Sequence, residues 1–282
     1  MDTKNAVIGA VIVVLAISAI MNYMLYNQVR HLDQQVSTLQ SEMNVQNTES
    51  QTQNKTQNQE KPAYELSTDN ESKKSITAVA VRQIPTNDFF QSYTFEGTTM
   101  KITVEIKAGD GKILVNTATA TGVDFQSSAR TAVETAQNIA NIDLSGSDVI
   151  FSIESESDIQ AVDGPSAGGA MTVLLISELT HRDIRTDVLM TGTINPDGSV
   201  GRVGGIMEKA DAAGKYGAKI FLVPDKQSTV KVESCEEKKV GPALYRTCKF
   251  EPANLSEITH DKYGMDVIEI KNIQEALSYF TE

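Results

Sequence analysis

The chain has 282 residues, a formal net charge of −12 and a pI near 4.8. Its length allows one sizeable hydrophobic core. Its acidity and the lack of a lysine or arginine stripe argue against a nucleic-acid partner, because counterion release requires a basic surface. The two cysteines and three histidines show neither CxxC nor HExxH spacing, so we expect no metal site and no cofactor.

The N-terminal region is predicted to anchor the chain in a membrane. Between Ala6 and Tyr26 the sequence carries no charged residue, and a helix of about 20 such residues crosses a bilayer core of about 30 Å. A cleaved signal peptide is the alternative, but the run exceeds the apolar region of such peptides and no small-x-small cleavage site follows it. We therefore predict a single-pass transmembrane anchor over residues 1–28.

Two polar segments follow the predicted anchor. Over residues 29–43, the a and d positions of a heptad repeat are apolar, at Val29, Leu32, Val36, Leu39 and Met43. This spacing predicts a short coiled-coil stalk, and the alternative is an amphipathic helix without a partner. Residues 44–75 are rich in Asn, Gln, Thr and Ser and contain almost nothing to bury, which predicts a disordered linker.

Residues 76–282 have the composition of one globular domain of mixed α/β (α+β) class. Alternating or β-branched stretches near its start, "SITAVAVRQI", "MKITVEI" and "KILVNTATATG", predict strands. Apolar residues at helical spacing and short apolar runs between turn signals predict the remaining elements. These are helices over 127–142, 166–179, 205–216 and 272–280, strands over 148–155, 187–194 and 219–224, and a turn over 195–198.

The stretch "DGPSAGG" (163–169) places Ser166 at the start of the segment "SAGGAMTVLLISEL". A helix that is apolar almost all round is buried, so its N-terminus points into the fold. The first-turn N–H groups of such a helix lack intrahelical partners and carry partial positive charge, which would stabilise an oxyanion. Ser166 is therefore interpreted either as a helix cap or as a nucleophile.

A nucleophilic serine needs a base, and the sequence offers histidines and a lysine. His181 follows Ser166 by 15 positions, roughly 22 Å along the same helix, so it lies out of reach. His260 remains open, since "GPSAG" matches the GxSxG pattern of α/β-hydrolases, although a proline before the serine suits that elbow poorly. Lys209 projects onto the apolar flank of the helix over 205–216, where desolvation lowers a lysine's pKa and allows it to act as a base.

Three motifs in order, "DGPSAG", "MTG" and "GGIMEK", make the chain similar to the proteolytic domain of Lon proteases, whose active site is a Ser–Lys dyad. The separation of 43 residues between Ser166 and Lys209 also agrees with that family. The resemblance implies that Ser166 is the nucleophile and Lys209 the base, with Thr191 as the hydroxyl that orients the lysine. It also implies that Asp163 and Gly164 flank the oxyanion site.

The chain departs from the Lon pattern in two respects. Thr193 stands where the family usually has a glutamate after "MTG", and no GxxxxGK[ST] motif occurs. We therefore expect no ATPase module on this chain. A protease without an unfolding motor should cleave only flexible or unfolded polypeptides, unless a separate unfoldase acts with it.

The resemblance implies a membrane-anchored serine endopeptidase that acts without ATP on this chain. Because Lon relatives form rings and the stalk supplies a tether, we expect a ring-shaped homo-oligomer. A catalytically silent Lon-fold binding domain is the main alternative, although such a domain would be expected to lose Ser166 or Lys209. A His-dependent serine hydrolase is the third interpretation.

The side of the membrane is predicted from weaker signals. Lys4 precedes the predicted span and Arg30 follows it, so the positive-inside rule is nearly balanced. Asn-X-Ser/Thr sequons and two cysteines thirteen positions apart suit an extracytoplasmic domain. We therefore expect the protease domain outside the cytoplasm. We also expect a Cys235–Cys248 disulfide that closes a surface hairpin within 225–265, a stretch longer than the family leads us to expect.

Overall fold

A computed structural model gives the fold of most of the C-terminal part of the chain. The predicted anchor (1–28) and stalk (29–43) lie outside the described residues. Among the residues described, no helix is both long and apolar enough to cross a membrane. The structure describes residues 61–64, 73–86, 93–117, 120–155, 161–162, 164–240 and 243–281.

A four-stranded sheet forms one side of the domain. Its strands are β1 (Lys73–Pro85), β2 (Tyr93–Ala108), β3 (Ile113–Thr117) and β5 (Ser147–Glu154), in the order β1-β2-β5-β3. β3 runs parallel to β5, and the other neighbours are antiparallel. The strands predicted in this region are confirmed, and their buried side chains form part of the main core.

Two helices pack together in the main core. Helix α1 spans Val123–Ala140, and α2 spans Gly168–Leu179 after a 3₁₀ turn at Pro165–Ala167. Every residue of α2 is buried, as its apolar sequence predicts. Helix α1 begins four residues before the predicted start at 127, because Gly122 caps it and Asp124 lies in its first turn, where a negative charge is favourable.

A second sheet of three parallel strands contains β7 (Val188–Met190), β10 (Ile220–Pro224) and β13 (Asp266–Ile270), in the order β13-β10-β7. The strand predicted over 187–194 is interrupted after Met190. The chain turns there, because the amide of Gly192 donates to the carbonyl of Ser166 instead of continuing the sheet. Two short pairs accompany these sheets: β4 (Ala120–Thr121) with β6 (Ala161–Val162), and β8 (Thr193–Ile194) with β9 (Val200–Gly201).

A smaller core lies around helix α3 (Ile206–Tyr216), the helix predicted over 205–216. Helix α4 (Leu255–Tyr263) packs against α3, and helix α5 (Ile273–Phe280) confirms the helix predicted over 272–280. In α3 the alanines and Lys209 are buried, whereas Lys215 and Tyr216 are exposed. The first turn of α3 therefore meets the inside of the domain.

The expected hairpin is a two-stranded ribbon of β11 (Thr229–Val240) and β12 (Ala243–Asn254). Cys235 and Cys248 are directly opposite each other in its antiparallel register and form a disulfide. The predicted bond within 225–265 is thus confirmed. Val230 is buried and Val232 is partly buried against the smaller core, so the base of the ribbon is fixed to the domain.

A short strap precedes β1. Residues Lys61–Tyr64 run beside the end of α1, where the amide of Asp143 donates to Pro62 and the amide of Tyr64 donates to Asp143. Lys61 Nζ also donates to Asn138 Oδ1 at 2.8 Å. The strap lies within the predicted linker 44–75, and β1 begins at Lys73 rather than at residue 76. The composition of the sequence does not predict the strap, because its main hydrogen bonds are made by backbone groups.

Candidate active site

A cleft of about 590 Å³ opens where the two cores meet. It is bounded by β1, β2, the 3₁₀ turn before α2, the loop into α3, the first turn of α3 and the base of the ribbon. Both Ser166 and Lys209 line this cleft. The fold therefore brings together two residues that are 43 positions apart in sequence.

Ser166 lies in the 3₁₀ turn at the N-terminal end of α2 and is half-buried. Because α2 is buried along its whole length, its N-terminus is held rigidly at the cleft. In this structure no cap hydrogen bond comes from a side chain at the start of the 3₁₀ turn or of α2. The side chain of Ser166 is thus positioned at the cleft and does not serve as the N-cap of α2, as the capping alternative required.

The "MTG" motif fixes the backbone of Ser166. The carbonyl oxygen of Ser166 accepts from the amide of Gly192 at 3.0 Å and from the hydroxyl of Thr191 at 3.3 Å. Thr191 is fully buried, and its own amide donates to Leu222 in the second sheet. The structure therefore ties Thr191 to the backbone of Ser166, and its expected role in orienting Lys209 stays a prediction.

The expected oxyanion site lies just before Ser166. Gly164 lines the cleft with a φ of 98°, a conformation that only glycine adopts readily, so the chain turns sharply into the 3₁₀ turn. Asp163 lies outside the described residues. The amides of Gly168 and Gly169 donate to Pro165 and Gly192, and the expected oxyanion site at Asp163 and Gly164 stays a prediction.

Lys209 lies in the first turn of α3, where its amide donates to the carbonyl of Gly205 at 3.0 Å. The residue is only 4% exposed. Among the described residues, no carboxylate lies within ion-pair distance of its ammonium group. Burial lowers the pKa of Lys209 to about 8, and the neighbouring charge of Glu208 opposes this shift. At pH 7, Lys209 is then neutral in roughly a tenth of the molecules.

The histidines described by the structure lie elsewhere. His260 is an exposed residue of α4, and its Nδ1 is 2.9 Å from Asp266 Oδ1. His181 is exposed in the loop after α2, near the ring of Tyr64. No histidine among the described residues lines the cleft. The geometry therefore favours the Ser–Lys interpretation over the GxSxG elbow with His260 as base.

Two positioning residues were not identified from the sequence. Gly97 in β2 faces the first turn of α3, and a Cβ atom on it would lie 1.7 Å from the backbone oxygen of Glu208. A glycine inside a strand can signal such a close approach, so this residue could have been noticed. Gln227 is buried and pairs with both the amide and the carbonyl of Val203 in the loop before α3. No local pattern signals that contact.

The remaining walls of the cleft are mainly apolar, with a few charges at the rim. Apolar side chains come from both cores, from β1 and β2, and from the base of the ribbon: Val81, Phe95, Met100, Phe125, Met207 and Val230. Arg202 and Lys231 contribute positive charge, and Glu208 contributes negative charge. Such a surface suits an extended peptide with apolar side chains.

Comparison with known proteins gives one consistent result. Residues 91–239, more than half of the chain, match the model of the Lon protease (S16) C-terminal proteolytic domain. The chain is 37% identical over 109 residues to the Lon protease of Erwinia amylovora, an alignment that covers 39% of this chain and 14% of that protein. It is 40% identical over 124 residues to the Lon protease of Phenylobacterium zucineum (strain HLK1), covering 41% and 15% respectively. The chain thus spans about a seventh of the length of these relatives.

Proposed function

Because the chain belongs to the family of Lon protease (S16) C-terminal proteolytic domains, we propose that it is a serine-type endopeptidase that cleaves unfolded or flexible polypeptides. One observation carries the proposal: Ser166 and a buried Lys209 line the same cleft. Retention of both residues speaks against a catalytically silent binding domain.

The proposed reaction needs only groups of the chain and water. Ser166 Oγ adds to the peptide carbonyl carbon while its proton passes to the neutral Nζ of Lys209. Backbone amides of the turn that carries Ser166 hold the resulting oxyanion. When the C–N bond breaks, Lys209 returns the proton to the leaving amine, and an acyl-enzyme remains on Ser166. A water molecule then attacks the ester with Lys209 again as base, which releases the acid product and restores Ser166.

The preferred substrate follows from the cleft and from the sequence. Apolar walls around Ser166 favour an apolar side chain next to the scissile bond. Because the chain carries no GxxxxGK[ST] motif, we propose that it cleaves without ATP and that any unfoldase is a separate partner. Thr193 stands in the place of the family's usual glutamate. The proposed reaction therefore uses no carboxylate at this position.

The test uses the full chain in detergent with reduced, carboxymethylated α-lactalbumin, which stays unfolded, in the presence and absence of ATP. Ser166→Ala, Lys209→Ala and Lys209→Arg should each lower kcat/KM by about 10³-fold or more, since arginine does not give up its proton in a protein. His260→Ala, the control, should retain activity. Wild-type kcat/KM should rise through a pKa of about 8. Loss of activity in His260→Ala alone would reinstate the elbow interpretation.

We further propose that residues 1–28 anchor the chain in the cell membrane, with the protease domain outside the cytoplasm. The uncharged N-terminal run supports the anchor, and the disulfide supports the side, because disulfides persist in oxidising compartments. Protease added to intact cells should then degrade the domain. Degradation only after lysis would place the domain in the cytoplasm.

The ring-shaped homo-oligomer also stays a proposal, supported by the heptad spacing of residues 29–43. Sedimentation of the detergent-solubilised full chain should give a mass of several protomers at micromolar concentration. A monomer under these conditions would contradict the ring.

A further inference from the structure

The ribbon of β11 and β12 starts in the cleft and leads away from it. Thr229, Val230 and Lys231 line the cleft together with Ser166 and Lys209. From Glu233 outward the described ribbon residues are half-buried or exposed. At about 3.3 Å per residue, the eight positions from Lys231 to Lys239 extend roughly 25 Å beyond the cleft.

One face of the ribbon is continuous with the cleft. In an antiparallel pair, directly opposite residues share a face, and so do alternate residues along each strand. The register pairs Lys231 with Pro252, Glu233 with Phe250, Cys235 with Cys248 and Lys239 with Leu244. Phe250, the disulfide and Leu244 therefore lie on the same face as Lys231 of the cleft, which we call the cleft-side face. Thr229 lies on this face too, so two of the three ribbon residues that line the cleft belong to it. Val230 lines the cleft from the opposite face, whose base is covered by the smaller core at Val230 and Val232 and whose outer part carries Tyr245.

The cleft-side face combines apolar groups with charges of both signs. Phe250 is 71% exposed and Leu244 is 63% exposed, with the disulfide between them. Exposed ribbons usually avoid large apolar side chains, because these invite association with other chains. Glu233 and Arg246 lie on the same face, so it has no single sign of charge. These features fit an extended polypeptide with apolar side chains.

We propose that the cleft-side face binds the part of an unfolded polypeptide substrate that extends beyond the cleft. The inference rests on the proposed function and adds a second binding surface to it. The occupant follows from continuity: a chain seated at Ser166 and longer than the cleft passes the base of the ribbon at Lys231. Its apolar side chains then meet Phe250 and Leu244.

The test compares a long and a short substrate with variants of the two faces in the full chain. Phe250→Ser should raise KM for reduced, carboxymethylated α-lactalbumin about fivefold, because the variant lacks the aromatic side chain that the bound substrate would bury. Its kcat, and all kinetics on a peptide of about eight residues with an apolar residue at the scissile bond, should not change. Tyr245→Ser, the matched control on the opposite face, removes a residue that is 59% exposed and should change neither substrate's kinetics.

A binding measurement separates this inference from the proposed function. In a Ser166→Ala background, fluorescence anisotropy should show that Phe250→Ser weakens binding of the labelled long substrate by the same factor, whether or not the wild type cleaves it. Equal effects of Phe250→Ser and Tyr245→Ser would overturn the inference, as would equal effects on the two substrates. A change of sedimentation in Phe250→Ser would also overturn it, since the face would then be a contact between copies of the chain.

Discussion

Lys209 is 4% exposed, and an ammonium group there has lost most of its water. The lowered pKa of about 8 measures the cost of charging the side chain inside the protein. The unfolded chain binds this proton more tightly than the folded one. The contribution of Lys209 to the free energy of unfolding is therefore highest above pH 10.5, where the side chain is neutral in both states. It falls as the pH is lowered towards 8. At neutral pH the charge on Lys209 destabilises the fold, a cost that accompanies its proposed role as the base.

We predict that Lys209→Met raises the free energy of unfolding at pH 7, by on the order of 2 to 3 kcal/mol, because it removes the buried charge. The difference from wild type should shrink between pH 8 and 10.5, as wild-type Lys209 loses its proton. Urea unfolding at several pH values measures both effects. Lys215→Met on the exposed side of α3 is the contrast: its ion pair with Asp211 raises the pKa of Lys215, so this change should lower stability at pH 7. A less stable Lys209→Met protein would contradict the argument.

Glu208 raises the pKa of Lys209, the proposed base. Its negative charge favours the ammonium form of Lys209, which keeps the pKa higher than burial alone would set it. Glu208→Gln should therefore move the rising limb of the kcat/KM profile to lower pH and increase activity at pH 7. Glu134→Gln, on the exposed side of α1, should leave the profile in place. A shift of the limb to higher pH in Glu208→Gln would show that the carboxylate acts in another way.

At the scale of elements, the position of Lys209 depends on the contact between β2 and α3. Gly97 leaves room for the backbone oxygen of Glu208, one residue before Lys209. The bonds of Gln227 to Val203 hold the loop that leads into the same helix. Strand and loop thus fix the first turn of α3 from two directions.

Gly97→Ala should destabilise the domain by about 1 to 3 kcal/mol, because the new methyl group meets backbone that cannot move aside. It should also lower kcat, since the first turn of α3 must shift. Gly146→Ala is the matched control, because a Cβ there meets nothing within 4 Å. Thermal unfolding and peptidase assays of both variants measure the difference. Equal behaviour of the two would mean that the β2–α3 contact is not tight in solution.

The sequence predicted the elements that carry strong local patterns. The buried helix after Ser166 and the amphipathic helix with Lys209 were both identified from apolar spacing, and the motifs gave their order. The break between β7 and β8 was not predicted. Six of the eight residues over 187–194 are apolar or β-branched, and it is the distant carbonyl of Ser166 that draws Gly192 out of the sheet. Bonds of that kind depend on which segments meet, and no local pattern encodes them.

At the scale of the whole described domain, the ribbon has little support from the two cores. Among the described residues of β11, only Val230 and the partly buried Val232 join the strand to the smaller core. A double variant, Cys235→Ser with Cys248→Ser, should therefore lose up to about 3 kcal/mol of local stability in the ribbon. Hydrogen exchange should accelerate in β11 and β12, while the Tm of the domain changes little. A large fall in Tm would show that the ribbon unfolds together with the cores.

The strap of Lys61–Tyr64 determines where mechanical load enters the domain. Any pull on the N-terminal segment reaches the bonds with Asp143 and Asn138 before it reaches β1. These bonds sit at the far end of α1, whereas the start of α1 supplies Phe125 to the cleft. Tension on the N-terminal segment is thus taken up by the strap, outside the cleft. The pairing of β1 with β2 beside Lys209 does not carry that load. If the proposed anchor pulls on the chain, Ser166 and Lys209 therefore keep their relative positions.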